Sequence, residues 1–303
     1  MIDFIKLNMY VPSAEELTER IVFTSDVDVN TGEVVSRKRL GRLENLKLIL
    51  IGNRLIISGS LHVYHNQAFK NELQNYDDFT IEALVKTIGH IEDQIGINIG
   101  PAKVINLEVG VNILMDSNVT DLLSKHLVSY KYQRPSGIDT FNGSGMYVRF
   151  KLTEYWIKIY DKGRQHKLGK QLLRVEIKLI RGSIINRSKV MIVKDLYKEE
   201  NWHLLSKFLL DRLEYVLIVD TQDTSNVQNI QEREMIKDGL NPGYWANLPY
   251  KVTRNTIRRR KRVFERALEK NKFLNLKKEI ALKVQEKLAV LCKAHKELEA
   301  FEI

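Results

Sequence analysis

Two neighbouring stretches, WIKIYDKGRQ at 156–165 and LLRVEIKL at 172–179, set a tyrosine, a lysine and a lone glutamate along alternating apolar segments. Tyr160 ends the first, Lys162 follows two positions later, and Glu176 interrupts the second. Phosphoryl transfer through tyrosine needs these types: a nucleophilic hydroxyl, a group that polarises the scissile phosphate, and a cation for the developing charge. A phenol of ordinary pKa, about 10, is only about one part in a thousand ionised at neutral pH. A nearby lysine lowers that barrier, and a divalent metal held by carboxylates polarises a phosphate oxygen. Glu108, in INLEVGVNI, is the second carboxylate within an apolar strand. Such a charge is costly to bury unless paired or metal-bound, and a solvated face or a lysine partner would satisfy it equally. His62 and His65, in SGSLHVYH, fall three apart in what reads as a strand. They then point to opposite faces, and both serve one metal only if the strand breaks after His62. A lone strand histidine also suits packing, as do Tyr147, Tyr155 and Tyr160 on a pleated surface. No Walker A loop, GxSxG elbow, HExxH or GxGxxG pattern occurs.

The elements that must position these residues read as an α+β chain. FIKLNMYV, LKLILIG, RLIISGSLHVYH and KVINLEVGVNIL read as strands, with a tight hairpin at IGN, residues 51–53. FTIEALVKTIGHIEDQIG, 79–96, repeats apolar residues at helical spacing, with Thr80 to cap it and Gly96 to close it. A second helix is expected from Ser117 through VTDLLSKHLV, capped by Asp116, Ser117 or Asn118. Residues 134–150 read as a loop or hairpin entry before MYVRF resumes a strand. EYWIKIYDKG and QLLRVEIKLI follow as strands, then a helical stretch over 188–217 and a polar linker. A boundary near 220–230 divides the chain into a catalytic unit, 1–222, and a helical basic region, 223–303. The last segment, from Leu276 to Leu298, reads as one long helix suited to a partner helix, and no internal repeat is visible.

The 303 residues carry a net charge of +10 and a pI near 9.4, which suits a polyanionic partner. A single cysteine, Cys292, excludes an internal disulfide and any CxxC metal site. The start, MIDFIKLNMYVP, lacks the pattern of a signal peptide, and no apolar run approaches the ~18 residues of a membrane span. A soluble intracellular protein is expected.

Taken in order, SGSLH at 58–62, INLEVGVNI at 105–113, IKIYDKG at 157–163 and LLRVEIKL at 172–179 resemble the rolling-circle replication initiators of the filamentous-phage gene II and gene X family. GLNPGYWANLP, 239–249, with the basic residues after it, resembles the C-terminal part of such proteins from Bacteroidetes elements. The resemblance implies an HUH-like nuclease fold, an antiparallel sheet flanked by helices, followed by a helical basic C-terminal region. It implies a nickase that cuts one strand of origin DNA, single-stranded or supercoiled duplex, stays joined to the 5′ phosphate through tyrosine, and later rejoins the ends. Host helicase and replication machinery would be partners, in the cytoplasm of a bacterial host.

On this resemblance Tyr160, in a YxK motif, is the nucleophile and Lys162 contacts the phosphate or the ionising phenol. Glu108, Glu176 and His62 would hold Mg2+ or Mn2+. No His-hydrophobic-His triplet is present, which favours a mixed carboxylate–histidine site. Tyr147, in MYVRF, is the alternative nucleophile, and Arg174 either binds phosphate or pairs with Asp161. In the tail, Arg258, Arg259, Arg260, Lys261, Arg262 and Arg266 form a basic run, and 258, 262 and 266 align on one side of a helix for backbone contact. A non-catalytic DNA-binding replication factor or regulator is the alternative; it explains the charge but leaves the YxK motif and the carboxylates without purpose. An RNA-binding or membrane-surface protein has less support, since no RNP motif or amphipathic aromatic helix is present.

Overall fold

The computed structural model describes residues 1–249 and 252–293. In chain order the strands are β1 (Ile2–Tyr10), β2 (Phe23–Val27), β3 (Val34–Leu43), β4 (Leu46–Ile51), β5 (Arg54–Ser60) and β6 (Lys103–Leu114). They continue as β7 (Leu127–Tyr130), β8 (Gly137–Phe141), β9 (Ser144–Lys151), β10 (Tyr155–Asp161), β11 (Leu172–Leu179) and β12 (Val216–Ile218). The first helices are α1 (Ala14–Arg20), α2 (Leu61–Lys70), α3 (Ile81–Ile95), α4 (Val119–Asp121), α5 (Lys162–Gln165) and α6 (Gly182–Arg187). After them come α7 (Glu199–Leu213), α8 (Ile230–Leu240), α9 (Pro242–Ala246), α10 (Arg254–Lys270) and α11 (Asn275–Leu291).

Among the described residues ten strands form one antiparallel sheet in the order β2-β3-β4-β5-β1-β6-β11-β10-β9-β8, and β7 pairs separately with β12. The fold is therefore mixed α+β, a large antiparallel sheet flanked by helices with a helical C-terminal region, as the sequence leads one to expect. One sheet face carries Leu7, Ile57, Leu107, Val109, Ile157, Phe150 and Ile177, which join a core with residues of α1, α3, α6, α7 and α11. Period-two alternation sends every second residue of the same strands to the other face.

Several local expectations hold for the reasons given. Thr80 accepts a hydrogen bond from the Ala83 amide and Gly96 closes α3 in a left-handed conformation. Gly52, at φ 56°, makes the β4–β5 turn. Others are corrected. The strand containing Ser58 stops at Ser60, whose side chain accepts from the Val63 amide and starts α2. His62 and His65 therefore lie on a helix, one turn apart, not on a strand. The helix expected after Ser117 is only the short α4, capped by Asn118, and a single π turn before β7 takes over. Residues 137–151 form the complete β8–β9 hairpin. β2 and β3, rich in polar residues, gave no periodic signal.

The C-terminal region does not close around one core. Residues of α8, α9 and α10, among them Ile236, Trp245, Phe264 and Leu268, form a separate cluster with Val219 and Phe273. Ile280, Val284, Leu288 and Leu291 of α11 instead join the main core under the sheet. The partner of that helix is thus this chain's own sheet; residues beyond Lys293, including Leu298, lie outside the described residues.

Candidate functional site

Antiparallel register brings the singled-out residues together. Across β10 and β11, Lys158 pairs with Glu176 and Tyr160 with Arg174. Across β11 and β6, Arg174 faces Asn112, Glu176 faces Gly110 and Lys178 faces Glu108. Across β9 and β10, Tyr147 faces Tyr160 and Arg149 faces Lys158. Directly opposed residues share a face, so all of these lie on the side away from the helical core. Gly110 is required opposite Glu176, because a Cβ there would sit 2.6 Å from the Glu176 Cβ.

At one end this face is closed. Tyr160 and Arg174 are buried, 4% and 2% exposed. The Tyr160 hydroxyl donates to Glu176 Oε2 at 3.1 Å, and Arg174 Nε donates to the same oxygen at 2.8 Å. Arg174 also donates to Asp3 Oδ2 at 2.9 Å and Asn112 Oδ1 at 3.1 Å, and Lys158 Nζ donates to Glu176 Oε1 at 2.7 Å. Lys162 Nζ donates to Asn75 Oδ1 at 2.5 Å, and Asn75 donates to Asp3 at 2.8 Å, so the α2–α3 loop caps the cluster. Phe141, at the tip of β8, packs against both Tyr147 and Tyr160, with ring centres 4.8 and 5.0 Å away. Arg174 thus meets Asp3, Glu176 and Asn112 rather than Asp161, which instead caps α5 and accepts from Thr120. Its side chain is 3% exposed, so a phosphate reaches it only where the cluster opens.

Burial and the neighbouring Glu176 push the Tyr160 phenol well above the ordinary range. Burial opposes ionisation of Glu176 too, but Lys158 and Arg174 outweigh it and hold that carboxyl below its usual value. Burial, with Arg174 close by, lowers Lys162 to about 7. Glu108 is raised by burial and by Glu176, against its partner Lys178, whose Nζ lies 2.8 Å from Glu108 Oε1.

The expected metal ligands do not form a ligand set as arranged. Glu176 is saturated by Lys158, Arg174 and Tyr160, and Glu108 is held by Lys178. His62, lowered by burial, gives its Nε2–H to Asp77 Oδ1 at 2.6 Å and stacks on Phe79. Among the described residues no three His, Cys, Asp or Glu side chains converge as a metal site. The pairing of each glutamate with a lysine, legible as an alternative in the sequence, is what the strand register produces.

Beyond the closed corner the same face is open, basic and aromatic. The Trp156 ring lies 5.0 Å from Lys151 Nζ and 5.9 Å from the Arg149 guanidinium carbon. Phe4 carries Lys178 Nζ at 4.2 Å from its ring centre. Arg42, Lys47 and Lys6 extend the same face, since Arg42 faces Lys47, and Lys47 and Lys6 both face Ser58. On α10, Arg258, Arg259, Arg262 and Arg266 are exposed, whereas Arg260 is half-buried. Lys261 covers the Tyr132 ring at 4.2 Å, while the Tyr132 hydroxyl donates to Glu265. Lys261 is therefore packed against the aromatic cluster and is not part of the exposed stripe.

Asp3, Asn75, Asn112, Asp77 and Lys158 belong to the site but carried no motif. A signal existed for two of them: Asp3 interrupts an apolar opening strand, and Lys158 shares the polar phase of WIKIY with Tyr160.

The fold and site define a helix-backed antiparallel sheet with a buried tyrosine–arginine–glutamate cluster at one end of a basic, aromatic face. No family model matches the chain, and no curated protein matches it. A solved structure similar to it is a rolling-circle replication initiator protein from Geobacillus stearothermophilus, 10% identical, with a TM-score of 0.39, covering 88% of this chain and 96% of that one. No helix among the described residues is long and apolar enough to cross a membrane.

Proposed function

We propose that the chain is a rolling-circle replication initiator that nicks one DNA strand at an origin through tyrosine attack and later rejoins the ends. The observation that carries this reading is the cross-strand pair Tyr147–Tyr160, set beside Lys158, Lys162 and Arg174 at the end of a sheet face rich in Lys, Arg and aromatic rings. Such a face suits single-stranded DNA, with cations along the backbone and rings for base stacking.

In the proposed step the Tyr160 oxygen bonds to phosphorus and the bond from phosphorus to the 3′ oxygen breaks. Once the hydroxyl leaves Glu176 and Lys162 leaves Asn75, the phenolic proton passes to the amine of Lys162, which is partly neutral near pH 7, and the 3′ oxygen takes a proton from water. Arg174 and Lys158 offset the charge developing on the phosphate. The phosphotyrosine link keeps the bond energy for rejoining, so no nucleotide loop is needed. Access requires Phe141 to leave the tyrosine pair. Glu108 and Glu176 would hold the divalent ion that the resemblance implies only if freed from Lys178 and Lys158, and such an ion would polarise a phosphate oxygen.

Incubation with a single-stranded origin oligonucleotide, followed by mass spectrometry of the peptide carrying the adduct, tests this. An adduct on Tyr160 is expected. An adduct on Tyr147 moves the nucleophile by one strand; no adduct with any strand of the origin leaves the second reading, a non-catalytic DNA-binding factor. That reading draws on the burial of Tyr160 and its bond to Glu176.

A further inference from the structure

We infer that a glycine-walled basic cradle beside the tyrosine pair binds backbone phosphate of single-stranded DNA leaving the reaction site. The cradle is a cavity of about 480 Å³ between the β8–β9 turn and the segment joining α5 to β11. Its walls include Gly143, Ser144 and Gly145 on one side and Arg164, Lys167 and Lys170 on the other.

The glycines shape it. A Cβ on Gly145 would come within 2.7 Å of the Asp161 carbonyl oxygen and the Gln165 amide nitrogen, so the turn lies directly on α5. A Cβ on Gly163 would collide with the Lys170 carbonyl oxygen, so the outgoing chain folds closely back on the helix. Gly143, Gly145, Lys167 and Gly169 all have positive φ, a succession of sharp bends of which three carry no side chain.

The charges are one-sided. Among the described residues no carboxylate lines the cavity. Asp161 is buried and engaged by Thr120 and the Arg164 amide, with its ion-pair contact to Arg164 at 3.7 Å. Lys167 and Lys170 are exposed and make no ion pair among the described residues. Three cations around exposed backbone and a serine hydroxyl suit an anion of phosphate size, and the cavity has room for more than one such group.

The position links the cradle to the tyrosines. Gly145 precedes Tyr147 by two residues on β9, and Arg164 follows Tyr160 by four through α5. A strand crossing the open face past Trp156 and Tyr147 meets the cradle next. The assignment rests on the DNA-cleaving reading for its ligand, but its residues are outside the proposed chemistry.

The test is fluorescence anisotropy of a labelled single-stranded DNA oligonucleotide with the full chain across a salt series. The double variant Lys167→Ala/Lys170→Ala removes two phosphate contacts. Its log affinity against log salt should lose a slope of about 1.4, at ~0.7 per contact, which is roughly 25-fold in affinity at ~0.1 M salt relative to convergence near ~1 M. The control Lys189→Asn/Lys207→Ala removes the same charge from the helical side, with Asn chosen because residue 189 has φ 58°. It should keep the wild-type slope. Equal slopes for the cradle variant and wild type, or equal losses in both variants, overturn the cradle while leaving strand binding intact. Failure of the wild-type chain to bind the oligonucleotide overturns the DNA-cleaving reading and the cradle together.

Discussion

The Tyr160 hydroxyl and the Arg174 guanidinium both donate to Oε2 of Glu176, at 3.1 and 2.8 Å, from directly opposed positions on β10 and β11. One carboxylate oxygen thus holds the candidate nucleophile and the candidate phosphate-binding cation in a single buried unit. Tyr160→Phe should abolish adduct formation and cost about 1 kcal/mol of stability, the net worth of one hydrogen bond. Urea unfolding and the oligonucleotide adduct assay read the two effects separately. A fully active Tyr160→Phe variant would transfer the role to Tyr147.

Removing Arg174 strands Asp3 as a buried charge and leaves Glu176 with Lys158 alone as its cation. Arg174→Ala should destabilise the protein by about 3–5 kcal/mol, the range for breaking a buried pair from one side. A midpoint of denaturant unfolding unchanged from wild type would show that the cluster is solvated.

Lys162 sets a pH dependence. Its folded pKa, about 7, lies below the ordinary lysine value of 10.5. Between those values the unfolded chain binds more protons than the folded one, so stability rises with pH across that window and is lowest below about 7. Lys162→Met should flatten this rise, read as urea midpoints at a series of pH values. A variant with the same rise as wild type would place the titration elsewhere.

The lysine-held carboxylates predict how metal matters. Adduct formation should persist in EDTA, because Arg174 and Lys158 already supply positive charge. In Lys158→Ala/Lys178→Ala, with Glu108 released and Glu176 freed at Oε1, Mn2+ should stabilise the chain against heat more than it stabilises wild type. Loss of the adduct in EDTA, restored by Mn2+, would contradict the cation-based mechanism.

The exposed arginines of α10 predict duplex binding. Arg258→Ala/Arg262→Ala/Arg266→Ala should lower the salt slope for duplex DNA by about 2.7, at ~0.9 per contact. Thermal stability should be unchanged, since all three side chains are exposed. An unaltered slope would leave the helix as a solvated face.

Much of the frame was legible. Alternating runs such as LKLILI and KVINLEVGVNIL specify half-buried strands, and Thr80 with Gly96 brackets α3 through capping chemistry that is local in sequence. The failures also have local causes. Ser60 turned a strand into a helix by capping it, which strand periodicity could not register. The polar strands β2 and β3 are held by pairing, β2 with β3 and β3 with β4, not by an apolar face of their own.

What the sequence by itself determined is the period of each segment, hence which residues share a face with Tyr160 and Glu176, and the excess of positive charge. Which carboxylate meets which cation was decided by the tertiary structure, because cross-strand register depends on pairings between segments far apart in the chain. Asp3 reaches Arg174 across 171 positions, and Glu108 reaches Lys178 across 70. Spacing along the chain contains no measure of such distances, so an acidic pair that suits a metal on paper became, once folded, two carboxylates neutralised by lysine and arginine.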